Sequence, residues 1–279
     1  DSLNFTAEHR KQAGNQFVDV GIAEEHAIAM AAGLAKNGCK PAFCTMSTFF
    51  QRTYDQISQE LCINNAPVTL IVVNASVYAV NDVTHIGIFD IPMMSNIPNL
   101  VYLAPTNKQE YLAMTDWSLD QTEHPVAIRA PRNGVFYAKD DVDTDDSCLN
   151  RYKTVTKGKK VAVLALGSFF QMGEELSEMI KDKLGFTPTL INPRYITGLD
   201  ADLLGSLKAE HGIIITLEDG VLDGGWGQKI ASFYGSSDLK VKNYGLKKEF
   251  LDRYDLNAVM TENRLKPELI LEDIRELLD

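Results

Sequence analysis

Apolar and polar positions alternate along this chain in a strand-then-helix rhythm that runs twice. Phe17 to Val20 is a short apolar run closed by Gly21. Ala23 to about Lys36 then takes helical spacing, with Ala27, Ala31 and Ala35 recurring every four residues and Ile28 pairing with Ala32. Asn37-Gly38 stops that helix. Cys39 to Cys44 predicts a strand and Phe49 onward a helix, which completes a βαβα unit. Pro67 to Asn74 is a continuous β-branched run, as in a strand buried on both faces. Ala75 to Pro98 predicts a long loop, and long loops inside compact domains usually carry function. Val101 to Ala104 reads as a strand, Thr106 as the cap of a helix through Asp120, and Pro125 to Arg129 as a further strand.

The rhythm resumes at Lys160. Val161 to Leu166 predicts a strand, followed by a Gly167-Ser168 turn, a helix to about Leu184 and a strand at Thr189 to Ile191. A helix at Asp200 to Glu210, a strand at Ile213 to Leu217, and helices from Gly225 to Tyr234 and from Leu269 to Leu278 complete it. Such alternation implies parallel sheets with crossover helices. The expected fold is therefore α/β with two domains, each a mainly parallel sheet flanked by helices: residues 1–138, a linker at 139–158, and residues 159–279. The linker holds Asp140, Asp141, Asp143, Asp145 and Asp146, an acidic run without the glycine and ligand pattern of a calcium loop. Residues 1–16 are polar and predict no element.

A length of 279 residues favours two domains over one. A net charge of −11 with no lysine or arginine run argues against a nucleic-acid or anionic-membrane partner, although it leaves room for a locally basic pocket. No apolar run approaches the ~18 residues that a membrane span needs, and no signal-peptide pattern is present. Cys39, Cys44, Cys62 and Cys148 lack metal-type spacing, and three sit in apolar segments. Buried reduced thiols and a cytoplasmic location are expected.

Candidate chemistry gathers where strands end. Glu24 falls in the first helical turn just past a predicted strand, the edge where open α/β sheets bind ligands. Taken alone it can equally be a helix-start glutamate favoured by the macrodipole. Phe49 or Phe50 can be a core ring, and Arg52, three positions after Phe49, can reach a ligand or form a surface ion pair. His85 lies in the long loop, whereas His26 reads as packing or capping inside its helix.

Gly21-Ile-Ala-Glu-Glu-His-Ala, Ser47-Thr-Phe-Phe-Gln-Arg-Thr-Tyr-Asp-Gln, Thr84-His85-x-Gly87 and Pro131-Arg132 together resemble the pyrimidine-binding domain of the thiamine-diphosphate-dependent transketolase family. Within that family the likeness is greatest to the 1-deoxy-D-xylulose-5-phosphate synthases, and it covers nearly the whole chain as the C-terminal half, a pyrimidine-binding domain plus a transketolase C-terminal domain. The resemblance implies a transferase moving a two-carbon unit between carbonyl compounds. It makes Glu24 the glutamate that shares a proton with pyrimidine N1′; a carboxyl group set against apolar alanines favours its protonated form. Phe49 becomes the ring stacked on the pyrimidine, Arg52 a group that orients Glu24 or reaches the cofactor, and His85 a proton carrier facing the substrate. Arg132 becomes a phosphate anchor, with Arg129 a weaker neighbour.

Two departures touch the substrate side. The synthases carry an arginine where Asn74 stands, and transketolases an aspartate where Asn81 stands, with Asp82 one register off. The family's first strand and its Gly-Asp-Gly diphosphate segment are not found in the sequence; Asp219-Gly220 and Asp223-Gly-Gly225 read as turns entering a helix. The resemblance thus implies thiamine diphosphate and Mg2+ as cofactors, no metal ligand on this chain, and a diphosphate-binding half supplied as another subunit or as the rest of a longer enzyme. It also implies a homo- or hetero-oligomer acting on a sugar phosphate or 2-oxo acid. The alternatives are the β-type subunit of a 2-oxo acid dehydrogenase and a non-catalytic assembly subunit.

Overall fold

The computed structural model describes residues 5–139 and 141–279; residues 1–4 and Asp140 of the acidic run lie outside them. The first sheet is wholly parallel, built from β1 (Ala42–Met46), β2 (Thr69–Val73), β3 (Val101–Leu103) and β4 (Val126–Ala130) in the order β1-β2-β4-β3. The second contains β5 (Lys153–Thr156), β6 (Lys160–Ala165), β7 (Thr189–Asn192), β8 (His211–Val221) and β9 (Lys240–Leu246) in the order β5-β7-β6-β8-β9. Only β5 runs antiparallel to its neighbour. The α/β architecture with two mainly parallel, helix-flanked sheets is therefore the one the periodicity predicts. No helix among the described residues is long and apolar enough to cross a membrane.

The helix Glu24–Lys36 buries Ala27, Ile28, Ala31 and Ala35, the stripe that its four-residue spacing places on one face. It carries acid in its first turn and Lys36 in its last, and Gly38 just beyond it adopts φ +83°. The helix Lys108–Asp120 starts one residue later than its expected cap. The Asn107 side chain accepts from the Glu110 N–H (2.9 Å), while the Glu110 carboxylate takes both the N–H and the hydroxyl of Thr106. Thr106 is thus occupied, and Asn107 holds the extended backbone that a cap requires.

Several expectations need correction. Phe17–Val20 is not a strand: Phe17 packs at a tilt against Phe5 and beneath Arg10, and Asp19 turns the chain by accepting from the Gly21 N–H (2.9 Å). The stretch after β1 is not one regular helix but a 3₁₀ segment Ser47–Thr53, a short α turn and a π turn Ile57–Cys62. Thr53 donates back to the Phe50 carbonyl, competing with regular helical bonding. The long loop is shortened by a helix at Asp90–Met94. β5 lies inside the stretch expected to be linker, and β9 and the helices Ala7–Ala13 and Leu256–Glu262 are elements beyond those expected. Of the cysteines, all free, only Cys62 is buried, its thiol pushed up to about 12 by that burial.

One hydrophobic cluster runs through both sheets, from Ile28 and Phe50 to Leu166, Tyr195 and Trp226, and a second, with Val163, Phe169, Leu176 and Ile215, takes in Ile86 and Ile88 of the long loop. The open edge of β3 is closed by the segment after β7. Ala104 N–H donates to the Arg194 carbonyl (2.7 Å) and Ile196 N–H to the Tyr102 carbonyl (2.8 Å).

Candidate active site

Because β1, β2 and β4 are parallel, their carboxyl ends share one edge. The segment after β1 carries Phe49 and Arg52, the loop after β2 carries His85, and Arg132 follows β4. Glu24, at the start of its helix, meets this edge through Arg52.

The Arg52 guanidinium forks between two carboxylates of that helix's first turn. One arm reaches Glu24 Oε2 at 3.1 Å and the other reaches Glu25 Oε1 at 3.2 Å. The Glu24 side chain is 12% exposed and that of Arg52 43%, so solvent screens the pair and it adds at most about 1 kcal/mol of stability. Its effect is orientation. Glu24 Oε1 receives no hydrogen bond among the described residues, and the carboxylate faces a cation rather than the alanines alone.

Phe49 is half-buried and meets the His85 ring edge-on, with centroids 5.4 Å apart; Phe50 is the fully buried core ring. Thr48 Oγ1 donates to the Thr84 carbonyl (3.2 Å), tying the two segments together. His85 Nδ1 lies 2.7 Å from Thr84 Oγ1 and 3.3 Å from Asp82 Oδ1, and Asp82 also accepts from the Thr84 N–H and hydroxyl. These bonds from Thr84, then His85, hold the Asp82 carboxyl down to about 2. With Nδ1 engaged, Nε2 is left without a hydrogen bond among the described residues. The role of Asp82 as partner of His85 was missed by the sequence reading, although the three-residue spacing could have signalled it.

The structure brings Glu24, Arg52, Phe49 and His85 to one edge but does not bring Arg132 into contact with them. Arg132 is exposed, with no ion pair or hydrogen bond among the described residues. Asn74 closes β2 in the left-handed region at φ +56°, a conformation asparagine tolerates. His26 is exposed on its helix rather than packed.

A second polar cluster lies between the sheets. Arg129, on β4, donates to Asp90 through Nε (2.7 Å) and Nη2 (3.1 Å) and to Asp219 of β8 through Nη1. Tyr102 donates to Asp90 and Ser168 to Asp219. Burial disfavours the guanidinium charge, but Asp219 and Asp90 outweigh it and raise the Arg129 pKa well above its ordinary value. Asp219 is therefore a buried strand residue, not part of a turn.

No group of three or more histidine, cysteine, aspartate or glutamate side chains among the described residues is arranged to hold a metal ion. The edge does suit a planar heteroaromatic ring. It offers an oriented carboxylate with an open oxygen, a half-buried phenyl ring, and the Ser47 hydroxyl two positions before it, which is buried with no hydrogen-bond partner among the described residues.

Comparison with known proteins identifies the family. The transketolase pyrimidine-binding domain model matches residues 3–136 and the transketolase C-terminal domain model residues 150–269. The 1-deoxy-D-xylulose-5-phosphate synthase of Halothermothrix orenii is 34% identical over 273 residues, covering 97% of this chain and 43% of that protein. The Lachnoclostridium phytofermentans synthase is 33% identical, covering 93% of this chain and 42% of its own length. The chain thus spans less than half the length of these curated relatives. Among solved structures, a split-gene transketolase described as an inactive β4 tetramer superposes with a TM-score of 0.82 at 21% identity, covering 99% of this chain and 88% of its own. With both domain models matched in order and the parallel edge built as described, this chain belongs to the thiamine-diphosphate-dependent transketolase family, of which it carries the pyrimidine-binding and C-terminal domains.

Proposed function

We propose that this chain is the pyrimidine-side component of a thiamine-diphosphate enzyme that transfers a two-carbon unit between carbonyl compounds, with a sugar phosphate as substrate class. The observation that carries the reading is the Glu24 carboxylate, gripped on Oε2 by Arg52 with Oε1 open, on the edge where Phe49 and His85 meet. Thiamine diphosphate, when bound, supplies a carbon nucleophile for carbonyl groups. Glu24 shares a proton with the pyrimidine through Oε1, Arg52 fixes its orientation, and Phe49 offers a ring for stacking and keeps water out. His85, anchored through Nδ1, moves protons through Nε2 at the substrate. Arg132, with no protein partner among the described residues, holds a phosphate.

The diphosphate and its Mg2+ belong, in this reading, to a second half, supplied as another subunit or as the rest of a longer enzyme in an oligomeric, cytoplasmic assembly. The inactivity stated for the β4 tetramer of the split-gene transketolase supports such a division. So do the exposed Val18 and Ile22 in the segment that leads into Glu24, apolar surface suited to that partner. Asn74 and Asn81, which depart from the family pattern, bear on which sugar is accepted. Calorimetry of the chain with thiamine diphosphate and Mg2+, with and without a diphosphate-binding half, tests the proposal. Binding heat is expected only in the mixture; no heat in the mixture overturns it.

A further inference from the structure

The loop that carries His85 is held from two sides. It leaves β2 at Asn74 and returns at Gly87, where the Ser76 N–H donates to the Gly87 carbonyl (2.7 Å). The closure is tight: a Cβ on Gly87 would lie 2.0 Å from the Asn74 carbonyl oxygen. On one side the tip rests on the first domain through Thr48 and Phe49. The segment of residues 250–254, in the C-terminal domain, meets its other side. Asn81 Nδ2 donates to the Tyr254 carbonyl (2.5 Å) and Asn81 Oδ1 accepts from the Tyr254 N–H (2.6 Å). The Tyr254 hydroxyl donates to the Val77 carbonyl (2.5 Å), the Val83 N–H donates to Asp252 Oδ1 (3.3 Å), and Phe89 meets Phe250 edge-on.

We infer that Asn81 is a positioning residue: its amide clamps the His85 loop to the C-terminal domain by pairing with both backbone groups of Tyr254. The pairing needs a donor and an acceptor on one planar group, which an amide has and a carboxylate lacks. An aspartate here would set a second acceptor against the Tyr254 carbonyl and lose that bond. The asparagine departs from the family's aspartate and has a use of its own in this chain. The next residue, Asp82, is thereby left to align His85. The C-terminal domain thus takes part in building the site, although no residue of it was read as functional from the sequence. The importance of His85 rests on the function proposed above; the clamp itself does not.

Hydrogen–deuterium exchange on the whole chain, read by mass spectrometry, tests it. At pH 7, Asn81→Asp is expected to speed exchange in a peptide covering residues 82–88 about tenfold or more over wild type. Peptides from β6 and β8 are expected to keep the wild-type rate. Lowering the pH toward about 4 should bring variant and wild type together, because a protonated carboxyl regains the donor-and-acceptor pattern of an amide. The neighbouring carboxylates of Asp82 and Asp252 favour that protonation, and the His85 cation opposes it. Asn81→Ala, which has no group to protonate, should stay fast at both pH values. A wild-type rate for Asn81→Asp at pH 7 overturns the clamp. So does acceleration spread evenly over the chain, or an Asn81→Asp rate that at low pH stays as fast as that of Asn81→Ala. In the complex with a diphosphate-binding half, Asn81→Asp should lower kcat several-fold while leaving cofactor C2 proton exchange intact. Lack of C2 exchange in the wild-type complex would instead count against the proposed function and leave the clamp standing.

Discussion

Arg129 and Arg52 each meet two carboxylates, yet the two clusters serve different ends. Arg129 sits between the sheets with its charge fully desolvated, and each of its partners is bonded again, Asp90 by Tyr102 and Asp219 by Ser168. Nothing is left over for a ligand. Arg52 lies at the sheet edge, half in water, and leaves Glu24 Oε1 open. Satisfaction, more than charge, separates the two. A saturated buried network fixes one arrangement of the domains, whereas a partly satisfied cluster at a parallel edge keeps valence for chemistry.

The largest effect expected from this contrast is on folding. Arg129→Met leaves Asp90 and Asp219 buried without their cation, which costs about 3–5 kcal/mol. Denaturant unfolding should show that loss, with the two domains no longer unfolding together. A loss below about 1 kcal/mol would erase the distinction between the clusters.

Glu24→Gln reverses the pattern. The half-wet ion pair contributes little stability, so unfolding should shift by less than about 1 kcal/mol. Proton–deuterium exchange at the cofactor's thiazolium C2, followed by NMR in the reconstituted complex, should slow by roughly a hundred- to ten-thousand-fold. Equal rates would reduce Glu24 to a helix-start residue.

An effect on pH dependence comes from a buried acid outside both clusters. Glu218 accepts from the N–H groups of Trp226 (2.9 Å) and Gly227 (2.8 Å), yet burial, with Asp219 adding to it, pushes its pKa from 4.5 up to about 8. The folded state thus binds a proton that the unfolded state releases. The resulting stability is fully present below about pH 4.5 and is lost as pH rises through about 8. The slope is at most about 1.4 kcal/mol per pH unit. Glu218→Gln should flatten it in thermal unfolding measured from pH 5 to 8; an unchanged slope would mean that other groups carry the titration.

The sequence by itself determined the α/β class, the order of most strands and helices, and the placement of Phe49, His85 and Arg132 in segments that follow strands; Glu24 starts its helix as expected, but without a strand before it. Those features are written in side chains within about ten residues of one another, where periods of 2 and 3.6 record which face is buried. Periodicity failed where a run was apolar but had no strand to pair with, as at Phe17–Val20, whose ring is used against Phe5 instead. Only the tertiary structure decided which polar residues are spent and which are open. Arg129 and Asp219 are 90 positions apart, and Asn81 and Tyr254 are 173 apart. Asp219-Gly220 reads like a turn and Asn81 like a loop residue because their local sequences are polar. Their roles depend on a partner brought from another domain: Arg129 and Asp219 meet in a desolvated interior that exists only once the chain has closed around it, and Asn81, itself exposed, meets the backbone of Tyr254 only then.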